Sequence, residues 1–130
     1  MTQIEPHGGS TISEAQSSTA EAIAKRYFDA WTSGDTTTVT SLLAPDFSFR
    51  AGDMSIEGRD AFLNAGAFPR DAHTTMVAQA YQGETGFQMY DAVRGPRSVR
   101  IVEKLVIRGG LIRSSTFVAD MSAFMALMRP

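Results

Sequence analysis

Between residues 85 and 108, apolar side chains recur at every second position: Phe87, Met89 and Val93 along one stretch, Val99, Ile101, Leu105 and Ile107 along the next. A period of two is that of a half-buried β-strand, whose successive side chains point to opposite faces. Each stretch carries one acid in its apolar phase, Asp91 in the first and Glu103 in the second. Burying an ionised carboxylate costs several kcal/mol unless it is paired or neutralised, so both acids need a partner or a purpose.

The same reading extends along the chain. Ile23, Tyr27, Ala30 and Trp31 share one face at helical spacing and predict a long first helix that Gly34 ends. Thr11 with Glu14 and Ser18 with Glu21 both have capping-box spacing, so the helix starts at either, behind a flexible arm over 1–18 and a single domain over 19–130. Asp35 caps a second helix carrying Val39, Leu42 and Leu43, which Pro45 stops. Phe47 and Phe49 alternate in a short strand, Gly52, Asp53 and Gly58 mark a loop, and Ala61, Phe62 and Leu63 belong to a short helix.

Four longer strands follow, over 74–81, 85–94, 98–108 and 111–119, separated by turns at Gln82-Gly83-Glu84, Gly95-Pro96 and Gly109-Gly110. Met121, Phe124, Met125 and Met128 then recur at helical spacing after Asp120. Helices first and a strand meander second predict an α+β fold, with a cone-shaped, curved antiparallel sheet wrapped around the long N-terminal helix. Such a sheet encloses a hollow, the usual place for a small-molecule site.

Composition narrows the partners. The chain has 130 residues, 43% of them hydrophobic, and a formal charge of −2 with dispersed basic residues. That is enough for one core and no electrostatic footprint for nucleic acid or an anionic membrane surface. There is no Cys, and His7 and His73 alone cannot build a histidine-rich metal cluster, so no metal site is expected. The first 18 residues lack the basic start and apolar run of a signal peptide, and no apolar stretch approaches the roughly 20 residues needed to span a bilayer. A cytoplasmic protein without membrane contact is the expectation.

The candidate chemistry is carboxylate and phenol. With a two-residue turn at Gly109-Gly110, Glu103 faces Thr116, whose hydroxyl can bond it across the strands; an Arg partner is the alternative, since ten of the twelve basic residues are Arg. For Asp91 the register decides. A strict two-residue turn at Gly95-Pro96 sets it opposite Arg100 as an ion pair, whereas a bulge that aligns the apolar phases sets it beside Ile101 and diagonal to Glu103. Matching phases favour the bulge, and two carboxylates in one cavity would raise one another's proton affinity. Tyr27 lies on the inner face of the helix, either as simple core with its hydroxyl satisfied or as a donor aimed into the hollow, Asp120 is either a helix cap or in phase with the cavity, and His73 is either a cavity acid-base group or a rim residue. Trp31, Phe49, Phe87, Met89, Ile101, Thr116 and His73 are the expected ligand-binding positions. No nucleophile elbow, phosphate-binding Gly loop or metal motif occurs, leaving proton transfer or binding alone.

The segments Tyr27-Phe28-Asp29-Ala30-Trp31, Gly34-Asp35, Leu42-Leu43-Ala44-Pro45-Asp46-Phe47 and Gly58-Arg59-Asp60-Ala61-Phe62 resemble the nuclear transport factor 2-like superfamily, and more narrowly its SnoaL-like branch. The similarity covers about residues 19–128. It implies a curved sheet around a pocket, commonly in a homodimer, and a range of members from polyketide cyclases and ketosteroid isomerases to pocket proteins without known activity. Catalytic members use pocket acids and no cofactor. Against the isomerases, Tyr27 matches the oxyanion-binding tyrosine and Glu103 falls where the protonated oxyanion-hole aspartate stands. Their proton-abstracting aspartate would fall at Ala51, with Asp53 displaced by two residues. Against the cyclases, Asp120 lies near an acid-base aspartate and His73 near a histidine at the start of the long strand. The resemblance thus implies a small hydrophobic, oxygenated ring compound as ligand, with Tyr27 and Glu103 stabilising an oxyanion and Asp91 or Asp120 moving the proton in an isomerisation, cyclisation or hydration. The alternatives are a non-catalytic binder and a dimerising scaffold. A homodimer would form through the outer sheet face, where Val102 and Val106 interrupt Arg100, Lys104 and Arg108.

Overall fold

A computed structural model describes residues 7–130 of the chain, with side chains from Thr19 onward. The elements run α1 (His7–Ser33), α2 (Thr36–Leu42), β1 (Leu43–Ala51), β2 (Met54–Glu57), α3 (Arg59–Asn64), β3 (His73–Gln82), β4 (Thr85–Arg94), β5 (Arg97–Arg108), β6 (Leu111–Val118) and α4 (Met121–Met128). Of the arm expected over 1–18, residues 1–6 lie outside the described residues; from His7 the backbone is helical, ahead of both capping pairs.

The strands form one open sheet in the order β2-β1-β6-β5-β4-β3. The sheet is mixed rather than wholly antiparallel, because β1 runs parallel to β6. Chain direction explains this: β1 precedes the meander by a helix and a hairpin and joins its far edge, where no tight turn dictates an antiparallel partner. Residues 54–57, expected as loop, form a strand of that hairpin, with Ala51 opposite Met54 around a turn whose Gly52 has φ +59°, a conformation natural to glycine.

Helix α1 lies on the inner faces of β3, β4 and β5. Its buried stripe is small where it meets the sheet, Ala20 and Ala24 being almost wholly covered, so helix and sheet approach closely and Tyr27 enters the core. Phe28 meets Tyr90 of β4 edge to face at 4.9 Å. Helices α3 and α4 close the other end of the concave face, α3 against β1 and β2 and α4 against β5. Two arginines fix α4: Arg94 donates to the carbonyl of Leu127 (2.9 Å) and Arg97 to that of Ala126 (2.8 Å), satisfying acceptors that a helix end leaves unpaired.

Two registers differ from the alternation-based reading. Arg94 pairs with Arg97, so the β4–β5 turn is the strict two-residue one and Asp91 lies opposite Arg100. The inward phase of β4 is therefore Gly86, Gln88, Tyr90 and Ala92, and Phe87, Met89, Asp91 and Val93 share the outer phase. In β6 a bulge between Ile112 and Ser114 shifts the pairing by one residue, so Glu103 faces Phe117, while Thr116 faces Lys104 on the outer side. Strand β5 follows the alternation as expected, with Val99, Ile101, Glu103, Leu105 and Ile107 all inward and buried.

Candidate functional site

The concave side of the sheet holds two unlike regions. At the end under α3 and α4 there is a cavity of about 140 Å³. Its walls are aromatic, from Trp31, Phe49, Phe62, Phe117 and Phe124. Three thioethers, Met54, Met125 and Met128, join them, with Ile56, Ala65 and Gly66 completing the lining. Phe62 holds the wall together, stacking on Trp31 at 5.3 Å and tilting against Phe49 at 5.1 Å; Phe117 meets Phe49 and Phe124 edge to face at 5.0 and 5.5 Å. No lining side chain ionises, and the Trp31 indole N–H is the only strong hydrogen-bond donor among them.

Under α1 lies a buried polar cluster. Glu103 is 2% exposed and accepts a 2.6 Å hydrogen bond at Oε2 from the Ser115 hydroxyl. Among the described residues no Lys or Arg pairs with it. Loss of water raises its carboxyl pKa from 4.5 to about 7, against which the Ser115 bond works. Tyr27 and Tyr90 are also buried; burial first, then the charge of Glu103, pushes both phenols well above their usual value, so both stay neutral. Gln88, the cross-strand neighbour of Glu103 on the inner face, donates through Nε2 to the Tyr81 hydroxyl at 3.1 Å, and its buried Oε1 has no hydrogen-bond partner among the described residues.

Of the residues singled out by sequence, Tyr27, Ile101 and Glu103 meet in the core, and Trp31 and Phe49 line the cavity. The two groups are adjacent but separate: neither Tyr27 nor Glu103 lines the cavity. Asp91 is elsewhere. It makes a two-pronged ion pair with Arg100 on the outer face, 2.7 Å to Nε and 2.9 Å to Nη2, which holds its carboxyl below the usual range. Phe87 and Met89 share that outer face, as does Thr116, because the β4 phase and the β6 bulge turn them away from the core. Asp120 is exposed and caps α4, accepting from the Ala123 N–H at 3.0 Å, which uses its carboxylate structurally. His73 is exposed at the start of β3. The hydroxyl expected on Glu103 is present but comes from Ser115 rather than Thr116, through the bulge.

The cavity residues absent from the sequence-based set are Met54, Ile56, Phe62, Ala65, Gly66, Phe117, Phe124, Met125 and Met128. The helical spacing of Phe124, Met125 and Met128 was the available signal; nothing in the sequence of 54–57 marked a strand over the cavity. Among the described residues no group of three or more His, Cys, Asp or Glu side chains could hold a metal ion, and no helix is long and apolar enough to cross a membrane.

Comparison with known proteins places this geometry in a family. No curated protein matches the sequence. A crystal structure provisionally named a ketosteroid isomerase, from Kribbella flavida DSM 17836, superposes with a TM-score of 0.75 at 21% identity over 80% of this chain and 79% of that one. One provisionally named a SnoaL-like polyketide cyclase, from Jannaschia sp. CCS1, gives 0.75 at 16% identity with both chains wholly covered. An NTF2-like protein of unknown function from Cytophaga hutchinsonii ATCC 33406 gives 0.72 at 13% identity over 82% and 94%. At these identities the likeness carries the fold. The SnoaL-like domain family itself matches residues 24–115, most of the chain, and the protein belongs to that family.

Proposed function

We propose that this protein is a small-molecule-binding member of the SnoaL-like family that takes a compact, uncharged, mainly apolar ring compound. The observation that carries this reading is the cavity: about 140 Å³, walled by rings and thioethers, with no ionisable side chain in its lining. An enclosed apolar cavity of roughly 150 Å³ stays dry and accepts a single-ring hydrocarbon; this one is of similar volume, open to solvent past Met54 and Met125. An ionised ligand would lose its hydration there without a counter-charge. The experiment is a calorimetric titration with toluene and with benzoate. Toluene is expected to bind with a negative heat-capacity change, the mark of apolar burial, and benzoate not to bind. Equal affinity for both would refute the reading.

A second reading, acid-base catalysis on an oxygenated ring, draws on one observation: Glu103, its pKa raised to about 7, is buried with Tyr27 and Ser115. Asp91 pairs with Arg100 and Asp120 caps α4, so this reading rests on Glu103 as its acid. Incubation with cyclic ketones followed by product analysis separates the readings; turnover lost in Glu103→Gln supports catalysis. For assembly, we propose a homodimer through the outer sheet face, where Val77, Phe87, Val93 and Val118 are exposed and Val102 and Val106 are half-buried between them.

A further inference from the structure

The cavity and the polar cluster share a wall. Phe117 lines the cavity and, on β6, stands directly opposite Glu103 of β5. Ser115, which donates to Glu103, lies two residues earlier on the same inward face. Directly opposed strand residues have Cβ atoms about 4.5–5.5 Å apart, so Phe117 stands in register with the acid while its ring closes the cavity. Its ring is held by Phe49 and Phe124 at 5.0 and 5.5 Å and is 5% exposed.

We propose that Phe117 is the specificity-determining residue of the cavity: it keeps Glu103 and Ser115 out of reach of the ligand, restricting the natural ligand to rings without a hydroxyl or similar donor. The inference rests on the binding reading above. Among the lining side chains Trp31 can only donate and the thioethers accept weakly, so a ring hydroxyl entering the cavity meets no strong side-chain acceptor for its proton. A buried polar group left unpaired is disfavoured, and the penalty falls on phenols but not on hydrocarbons of equal size. Shortening residue 117 joins the cavity to the cluster, where Glu103 can accept and Ser115 can exchange partners.

The test compares toluene and phenol, two probes of nearly equal size, by calorimetry on wild type, Phe117→Ala, and Phe117→Ala with Glu103→Leu. Their affinity ratio cancels any general effect of a larger cavity. Wild type is expected to favour toluene. Phe117→Ala is expected to shift the ratio toward phenol by about tenfold, the scale of one hydrogen bond, and the added Glu103→Leu to reverse that shift. Phe117→Leu, a milder truncation, is read in the same way if the alanine variant does not fold. An unchanged ratio in a folded Phe117 variant, or a shift that survives Glu103→Leu, overturns the proposal. Failure of wild type to bind toluene refutes the binding reading instead, and the proposal is then read from the toluene-to-phenol ratio of Phe117→Ala against that of the double variant, an unchanged ratio overturning it.

Discussion

Replacing Glu103 with glutamine should remove a pH dependence of stability that the buried acid imposes on the whole fold. The carboxyl pKa is raised from 4.5 to about 7 by burial, so between these values the folded state binds the proton and the unfolded chain does not. Protons bound preferentially by the folded state make stability fall as pH rises. The contribution is fully present below about pH 4.5 and is lost as pH rises through about 7. The two pKa values differ by about 2.5 units, 7 minus 4.5, which at 1.36 kcal/mol per unit is about 3 kcal/mol. For a domain of this size that corresponds to a melting-temperature change of about 12 °C. Glutamine keeps the shape and can still accept from Ser115, but does not titrate. The assay is urea unfolding of wild type and Glu103→Gln between pH 4.5 and 8, followed by fluorescence of Trp31, the single tryptophan. Asp35, Asp71 and Asp91, whose pKa values are lowered, act in the opposite direction and only below this window, and they are common to both proteins. The difference between the two stability curves should change by about 3 kcal/mol across the window. Parallel curves would refute the reasoning, because a buried acid without pH linkage cannot have the raised proton affinity assigned to it.

Asp120→Ala should destabilise the fold by about 1 kcal/mol through the lost α4 cap, read from urea midpoints, and should weaken toluene binding because α4 carries Phe124, Met125 and Met128. Asp91→Asn breaks the outer-face pair with Arg100 and should leave toluene binding unchanged; a lost affinity would contradict its outward placement. Val118→Lys puts a charge on the most exposed large apolar side chain of the outer sheet face and should convert a dimer to monomer in sedimentation velocity at micromolar concentration; a wild-type monomer would refute the dimer proposal.

Much of the architecture follows from local pattern. Helix α1 ends at Gly34, α2 starts from the Asp35 cap and α4 from the Asp120 cap, and the meander turns fall where glycine marks them. What the pattern could not resolve is which apolar phase faces inward when both faces of a strand are apolar. On β4 the outer phase holds Phe87, Met89 and Val93, more hydrophobic than the inner Gln88, Tyr90 and Ala92, so matching the apolar phases selected the wrong hairpin register. The true register follows the two-residue turn, Arg94 with Arg97, and sets Asp91 against Arg100. The bulge in β6 likewise leaves no strong mark in Ile112-Arg113-Ser114, yet it exchanges Thr116 for Ser115 as the partner of Glu103. The cavity was illegible for a different reason. Its walls come from α1, the β1–β2 hairpin, α3 and its C-terminal end, β6 and α4, which only tertiary packing brings together. Glu103 and Tyr27 could be placed in the core from sequence, but not on which side of Phe117.

The most direct test of the account is a structure of crystals equilibrated with toluene. The account predicts one molecule in the cavity bounded by Phe49, Phe62, Phe117 and Phe124, with Glu103 still bonded to Ser115 and untouched by ligand. Toluene seated against Glu103 and Tyr27, or a cavity that remains empty at saturating toluene, would contradict it.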